Sequence, residues 1–306
     1  MFRMKGAVPP MITPFTRDGE VDYKGLEILV DFLKERVDGL FITGSYGSGA
    51  LMSVEERKKV AETTIKTANG KIPVIVQTGS TNNRTTVELT KHAQSIGAQA
   101  VSAVGPYYFK HNEDSVSYFF DDMVKAVGSA FPVYVYNNPQ FQGYPMSLQL
   151  LKRLKNLGVK GMKDATFDIL LHATYQRTLK DNAFDVVLGT EAMWLSARAL
   201  GCEAFVPGLA NAFPEIIRKM YLQGMANDFE ACRQTQFEVN RMREVMYLAK
   251  STQLAIYAML ELRGVLKAYP RAPFIAASED EKKAIREELT KFTGIFPYRH
   301  FFHRFQ

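Results

Sequence analysis

Three short stretches of this chain carry side chains that could do chemistry together. Gly161-Met162-Lys163-Asp164 sets one lysine between apolar Met162 and acidic Asp164. If that run is a strand, Lys163 shares a face with Gly161, and an amine held inside a barrel mouth loses water. Desolvation disfavours the ammonium, lowers its pKa and frees a nucleophile for Schiff-base formation. On these four residues alone, the alternative is a surface lysine at a strand end, paired with Asp164. Tyr134 and Tyr136 are two apart and so lie on one face of an extended run. Tyr136, nearer the end of that run, could move a proton; the alternative is a core tyrosine with its hydroxyl satisfied. Gly44-Ser45-Tyr46-Gly47-Ser48-Gly49 could turn backbone N–H groups and the Ser45 hydroxyl towards a carboxylate or phosphate. Here the alternative is a plain strand–helix turn. Its glycines follow neither the dinucleotide fingerprint nor the P-loop.

These side chains need strands and helices to bring them together. Eight short β-rich runs recur, at 6–13, 39–43, 73–79, 100–105, 132–137, 159–164, 185–191 and 203–208. Several are continuously apolar, as in Val74-Ile75-Val76, which suits parallel strands buried on both faces. Helical stretches separate them. Leu26, Leu29, Val30, Leu33 and Val37 make one apolar stripe, and Leu148, Leu151 and Leu154 make another. Ser53 with Glu56, and Ser278 with Glu281, have capping-box spacing. Eight strand–helix repeats predict an α/β fold, a (β/α)8 TIM barrel, over an open sheet. In such a barrel the reactive groups gather at the C-terminal ends of the strands, where the three stretches fall. Beyond Gly208 the β signal stops, and 213–267 reads as helix with turns at Gly224 and Gly264. The expected division is a barrel over 1–225 and a C-terminal helical extension over 226–306. The basic, aromatic run 299–304 reads as a frayed tail.

Composition narrows the class. The chain has 306 residues, 46% hydrophobic and 23% charged. That is globular composition, long enough to bury a large core without metal or disulfide support. A net charge of +6 from mixed Lys, Arg, Asp and Glu permits an anionic ligand without calling for nucleic acid. Cys202 and Cys232 make no disulfide framework, so a reducing compartment is the simpler reading. No signal sequence or membrane-length apolar run is visible, and the expectation is a cytoplasmic protein that contacts no membrane. The five histidines are scattered without metal-ligand spacing, and no Gly-x-Ser-x-Gly nucleophile elbow occurs. Met220, Tyr221, Met242, Met246 and Tyr247 read as core or subunit contact rather than a cofactor site.

Taken together, the motifs identify a resemblance. Thr13-Pro14-Phe15, Asp18-Gly19-x-Val21-Asp22, Gly44-Ser45-x-Gly47, Pro106-Tyr107-Tyr108, Tyr136-Asn137-x-Pro139, Gly161-x-Lys163-Asp164 and Pro270-Arg271-x-Pro273 occur in this order. The chain resembles the N-acetylneuraminate lyase and dihydrodipicolinate synthase family of Schiff-base aldolases from about residue 6 to 295. The resemblance implies a homotetramer, with a dimer also open, and no metal or other cofactor. It makes Lys163 the lysine that condenses with pyruvate or another 2-keto acid, and Tyr136 the proton carrier. Tyr108 matches the tyrosine given across a subunit interface to the neighbouring site. Ser45, Tyr46 and Gly47 match the carboxylate-binding loop, and Gly189, Glu191 and Val206 match pocket positions. A protonated imine would then stabilise a C3 carbanion as an enamine, which adds to an aldehyde or is formed by the reverse cleavage.

Three departures bear on the substrate. Tyr46 stands where the loop commonly has a second small hydroxyl residue, and Ser48 where an acid is usual. Dihydrodipicolinate synthases generally have an arginine two residues after the Tyr-Asn-x-Pro proline; here that residue is Phe141. Sialic acid lyases usually follow the lysine with an aromatic residue and threonine, unlike Asp164-Ala165-Thr166. Phe141, Tyr46 and Trp194 together suggest a pocket less polar than a sialic acid would want. The expected partners are thus a 2-keto acid and an aldehyde, the aldehyde undefined. The alternatives are a dehydratase or hydratase-aldolase acting on a 2-keto-3-deoxy sugar acid through the same imine, and a catalytically altered keto-acid-binding barrel.

Overall fold

A computed structural model describes residues 2–292. All eight strands form, each inside its predicted run: β1 Gly6–Ala7, β2 Leu40–Ile42, β3 Val74–Gln77, β4 Ala100–Val104, β5 Val133–Asn137, β6 Gly161–Asp164, β7 Asp185–Leu188 and β8 Ala204–Phe205. They pair in parallel in the order β1-β8-β7-β6-β5-β4-β3-β2. The ring closes where the chain beyond β1 bridges β2: Pro10 pairs with Phe41, Met11 N donates to Phe41 O at 2.9 Å, and Phe41 N donates to Pro9 O at 3.0 Å. The fold is a (β/α)8 barrel.

Period-two alternation builds two cores from the same strands. Val8, Phe41, Ile75, Val104, Tyr134, Tyr136, Val187 and Val206 point inward and pack together. Their neighbours Ile42, Val76, Val101, Val135, Met162, Val186 and Leu188 point outward against the helices. The stripe Leu26, Leu29, Val30 and Leu33 of the helix Tyr23–Lys34 lies buried in this outer layer. Both predicted capping boxes are formed, by Ser53 with Glu56 and by Ser278 with Glu281. Such caps satisfy N–H groups that a helix start leaves unpaired.

The N-terminal end of the barrel is sealed by a polar cluster. Tyr134 donates to Asp185 at 2.5 Å, and Arg3 Nε and Met4 N donate to the same carboxylate at 2.6 and 3.1 Å. Tyr134 and Tyr136 do share a face, one layer apart. Gly161, on the same face as Lys163, makes room for Tyr134: a Cβ there would collide with that ring.

The stretch expected as helix over 213–267 is three helices, Pro214–Met225, Phe229–Met246 and Thr252–Leu262, followed by Glu279–Thr290. Turns fall after Gly224 and at Gly264, as predicted. The additional break at 247–251 ends with Ser251, whose side chain caps the next helix by accepting from Leu254 N. That break reaches the barrel mouth. The run 299–304, with His300 and His303, lies outside the described residues. Among the described residues no helix is long and apolar enough to cross a membrane.

Candidate active site

Lys163 is the penultimate residue of β6 and is 4% exposed. Strand alternation turns it inward and its neighbour Asp164 outward. Asp164 bonds to buried His172 Nδ1 at 2.9 Å and accepts from Thr166, so no ion pair with Asp164 holds Lys163. The amine lies instead over two rings, 4.0 Å from the Tyr136 centroid and 4.4 Å from that of Phe41. Burial holds its pKa below the ordinary 10.5, and Tyr136 restores only part of the loss. A ring face favours an ammonium by a modest amount, and desolvation outweighs it.

Tyr136 pairs directly with Lys163 across β5 and β6. Its hydroxyl is 3.4 Å from Ser45 Oγ and accepts from Asn138 Nδ2 at 3.1 Å. Burial pushes the phenol up. The positive charge of Lys163 and hydrogen bonds from Ser45, Asn138 and Lys163 pull it down by more, to below its usual 10.0. Asn138 is fixed in turn, because its Oδ1 caps the short helix Pro139–Gln142 by accepting from Gln140 N and Phe141 N. Sequence reading gave Asn138 no role. An asparagine just before a proline at a helix start is the signal, since that pair reads as an N-cap with Pro at N1.

The Gly44–Gly49 loop closes on itself, with Ser48 N donating to Ser45 O and Gly49 N to Gly44 O. Among the described residues, the amides of Ser45 and Tyr46 take no protein acceptor. Thr13 Oγ1 holds Gly47 O at 2.7 Å, and Gln253 donates to Tyr46 O and Ser48 Oγ at 3.0 and 2.8 Å. Ser48, in the position where an acid is usual, therefore anchors the loop to a C-terminal helix.

Ser45, Tyr46, Tyr136, Phe141, Lys163, Gly189, Glu191 and Val206 line one cavity of about 750 Å³ at the C-terminal end of the strands. Two site residues expected from the sequence do not. Gly47 packs against Met11 O and Thr43 N. Tyr108 is 84% exposed, with φ of +82° and its ring against Phe109 at 5.0 Å. Glu191 is 1% exposed and lines the wall, but its carboxylate is committed. It accepts from Gly208 N and Leu209 N at 3.1 and 3.2 Å and pairs with Arg243 at 2.9 Å. Trp194 is absent from the cavity. It is fully buried, stacked on Phe205 at 4.6 Å, with Nε1 donating to Met220 O.

Tyr46 runs away from Ser45 and across Gly208, where it donates to Thr252 Oγ1 at 2.9 Å. Burial, reinforced by Glu191, raises its pKa and keeps it a phenol. Arg243, Tyr247, Lys250, Thr252 and Gln253 complete the wall from the C-terminal helices. Tyr247, expected in the core or at a subunit contact, is 64% exposed at the mouth. Met220, Met242 and Met246 are core, as expected. Sequence reading missed this wall because the break at 247–251 was hidden in a continuous helical pattern. Ser251 as an N-cap was its one local signal. Among the described residues no group of three His, Cys, Asp or Glu could hold a metal ion.

Known proteins share this architecture. The chain is 30% identical over 302 residues to a 4-hydroxy-tetrahydrodipicolinate synthase of Methanopyrus kandleri, covering 97% of this chain and 98% of that one. It is 33% identical to an uncharacterized DapA-like lyase of Thermoplasma acidophilum, over 94% and 98% of the two chains. Among solved structures, a prophage protein of the dihydrodipicolinic acid synthase family from E. coli K12, in complex with pyruvate, superimposes with a TM-score of 0.89. It is 27% identical, over 94% of this chain and 98% of that one. A sialic acid aldolase of Ruminococcus gnavus gives a TM-score of 0.89 at 25% identity, over 95% and 96%. The family model for dihydrodipicolinate synthetases matches residues 3–292, and the chain belongs to that family.

Proposed function

We propose that this protein is a class I aldolase that joins pyruvate, or a closely related 2-keto acid, to an aldehyde through an imine on Lys163, or runs the reverse cleavage. The observation that carries this reading is the buried Lys163 amine 4.0 Å from the Tyr136 ring, with the Tyr136 hydroxyl beside Ser45. The pyruvate complex of the E. coli prophage relative supports the keto-acid half.

The steps follow from the positions. Ser45 Oγ and the amides of Ser45 and Tyr46 hold the keto-acid carboxylate, which sets C2 against the amine. The neutral amine, favoured by burial, attacks C2, and water leaves as the imine forms. Tyr136 supplies and recovers the protons, with Ser45 and Asn138 holding its hydroxyl in place. The protonated imine draws electrons from C3, the enamine adds to the aldehyde carbon, and water then releases the product and restores the amine. The exposed Tyr108 completes the proton path from a second copy of the chain, in a homotetramer or dimer.

Lys163→Ala tests the reading. It should abolish condensation of pyruvate with aldehydes while circular dichroism shows the fold intact; normal turnover by a folded Lys163→Ala protein rejects it. Product analysis separates aldol chemistry, which yields a hydroxylated keto acid, from dehydration on the same imine.

A further inference from the structure

Four aromatic side chains rim the mouth of the Lys163 cavity, and the steps above use none of them. Phe141 is 54% exposed, Phe167 51%, Tyr247 64% and Phe274 38%, and all four line the same cavity. They come from four separate segments: the short helix after β5, the loop after β6, the break at 247–251 and the loop before Glu279–Thr290. Phe167 also holds a φ of +59°, a costly conformation for a bulky residue that the surrounding structure must enforce. Rings left in water at a cavity mouth offer apolar area that a flat apolar ligand would cover.

The charges in this cavity are already matched. Arg243 pairs with Glu191 at 2.9 Å, and Lys250 with Glu281 at 2.7 Å. Imine formation consumes the Lys163 amine. Among the described lining residues there is no other Lys, Arg or His. An aldehyde bearing a carboxylate or phosphate would have to share a cation that already has a carboxylate partner, whereas a ring needs no counter-ion. Space is ample, since a cavity of about 750 Å³ lies within the range that accepts drug-sized ligands, far beyond the needs of a three-carbon keto acid.

The geometry points to an uncharged aldehyde carrying an aromatic or similarly flat apolar group as the second substrate. This rests on the imine reading above. The enamine C3 attacks the aldehyde carbon and the carbonyl π pair moves onto oxygen. That oxygen takes the Tyr136 proton, and water releases a 4-hydroxy-2-keto acid with the ring on C4. Every electron pair stays within substrate, water and protein, so no oxidant enters.

The test compares kcat/KM for benzaldehyde, 4-carboxybenzaldehyde and glyceraldehyde at saturating pyruvate, with borohydride trapping of pyruvate run in parallel. Benzaldehyde should exceed both others by about tenfold or more. Its lead over glyceraldehyde should shrink by a similar factor in Phe167→Ala, or in Phe274→Ala if the first variant does not fold. Phe141→Arg should turn the preference towards 4-carboxybenzaldehyde. A wild-type preference for the charged or the polyhydroxy aldehyde overturns the proposal. So does a protein that traps pyruvate and consumes none of the three. Failure to trap pyruvate on folded protein instead rejects the imine reading itself.

Discussion

Lys163 and Tyr136 are direct partners across β5 and β6, and the lysine amine lies 4.0 Å from the tyrosine ring centroid. The pairing follows from parallel register and period-two alternation, which turn both side chains into the barrel. Phe41 supports the pair from the same layer, its ring set edgewise to Tyr136 with centroids 6.0 Å apart. Tyr136→Phe preserves this packing and removes only the hydroxyl. Turnover should fall about 10²- to 10⁴-fold, the usual worth of a positioned acid–base group, with the fold unchanged. Steady-state kinetics with circular dichroism would show it, and a fall of less than tenfold would remove Tyr136 from the proton path.

Burial of Lys163 also predicts a pH-dependent stability. Its folded pKa lies below 10.5, so the unfolded chain binds more protons and stability rises with pH across that window. Lys163→Met abolishes the penalty. The variant's stability advantage should grow as pH falls from about 10.5, by about 1.4 kcal/mol per unit, then level off below the folded pKa. Thermal melts of both proteins across pH would reveal this. A difference that does not change with pH would mean the amine is not desolvated.

Gly208 and Tyr46 are complementary. A Cβ on Gly208 would lie 2.6 Å from the Tyr46 hydroxyl and 2.7 Å from its Cζ. Gly208→Ala should therefore expel the ring, break its bond to Thr252 and lower kcat/KM by at least about tenfold, since small misplacements at a site are costly. Adding Tyr46→Thr should recover part of the loss. If the double variant is no better than Gly208→Ala, the collision is not the cause.

Glu191 lines the cavity wall with its carboxylate already partnered inside the protein. It joins the N–H groups of Gly208 and Leu209 to Arg243. Glu191→Ala leaves the guanidinium without its partner and should cost about 3–5 kcal/mol in chemical denaturation, the usual price of breaking a buried pair from one side. A loss below about 1 kcal/mol, typical of exposed pairs, would show that the pair is screened by water.

The barrel was legible in the sequence because eight apolar runs, each bounded by turn residues, leave few other folds open. Lys163 stood out as a lysine in the short strand run Gly161–Asp164, beside apolar Met162. Its inward face followed from alternation, and the outward turn of Asp164 towards His172 removed the surface-pair alternative. What stayed hidden depended on contacts between distant segments. Arg243 and Thr252 meet the loops after β7 and β2 only after the helices fold back. Trp194 looked like a pocket residue from its type, but its position on the helix Trp194–Ala199 buries it against Phe205. The break at 247–251 lay between two helical patterns with no glycine or proline to mark it.

Borohydride reduction in the presence of pyruvate tests the central assignment most directly. The protein is incubated with pyruvate, reduced, weighed intact and mapped by peptide mass. One reduced pyruvate adduct per chain on Lys163, absent from Lys163→Met, is the expected result. Folded protein that gains no adduct, or gains it on another lysine, would contradict the assignment of Lys163 as the imine-forming residue.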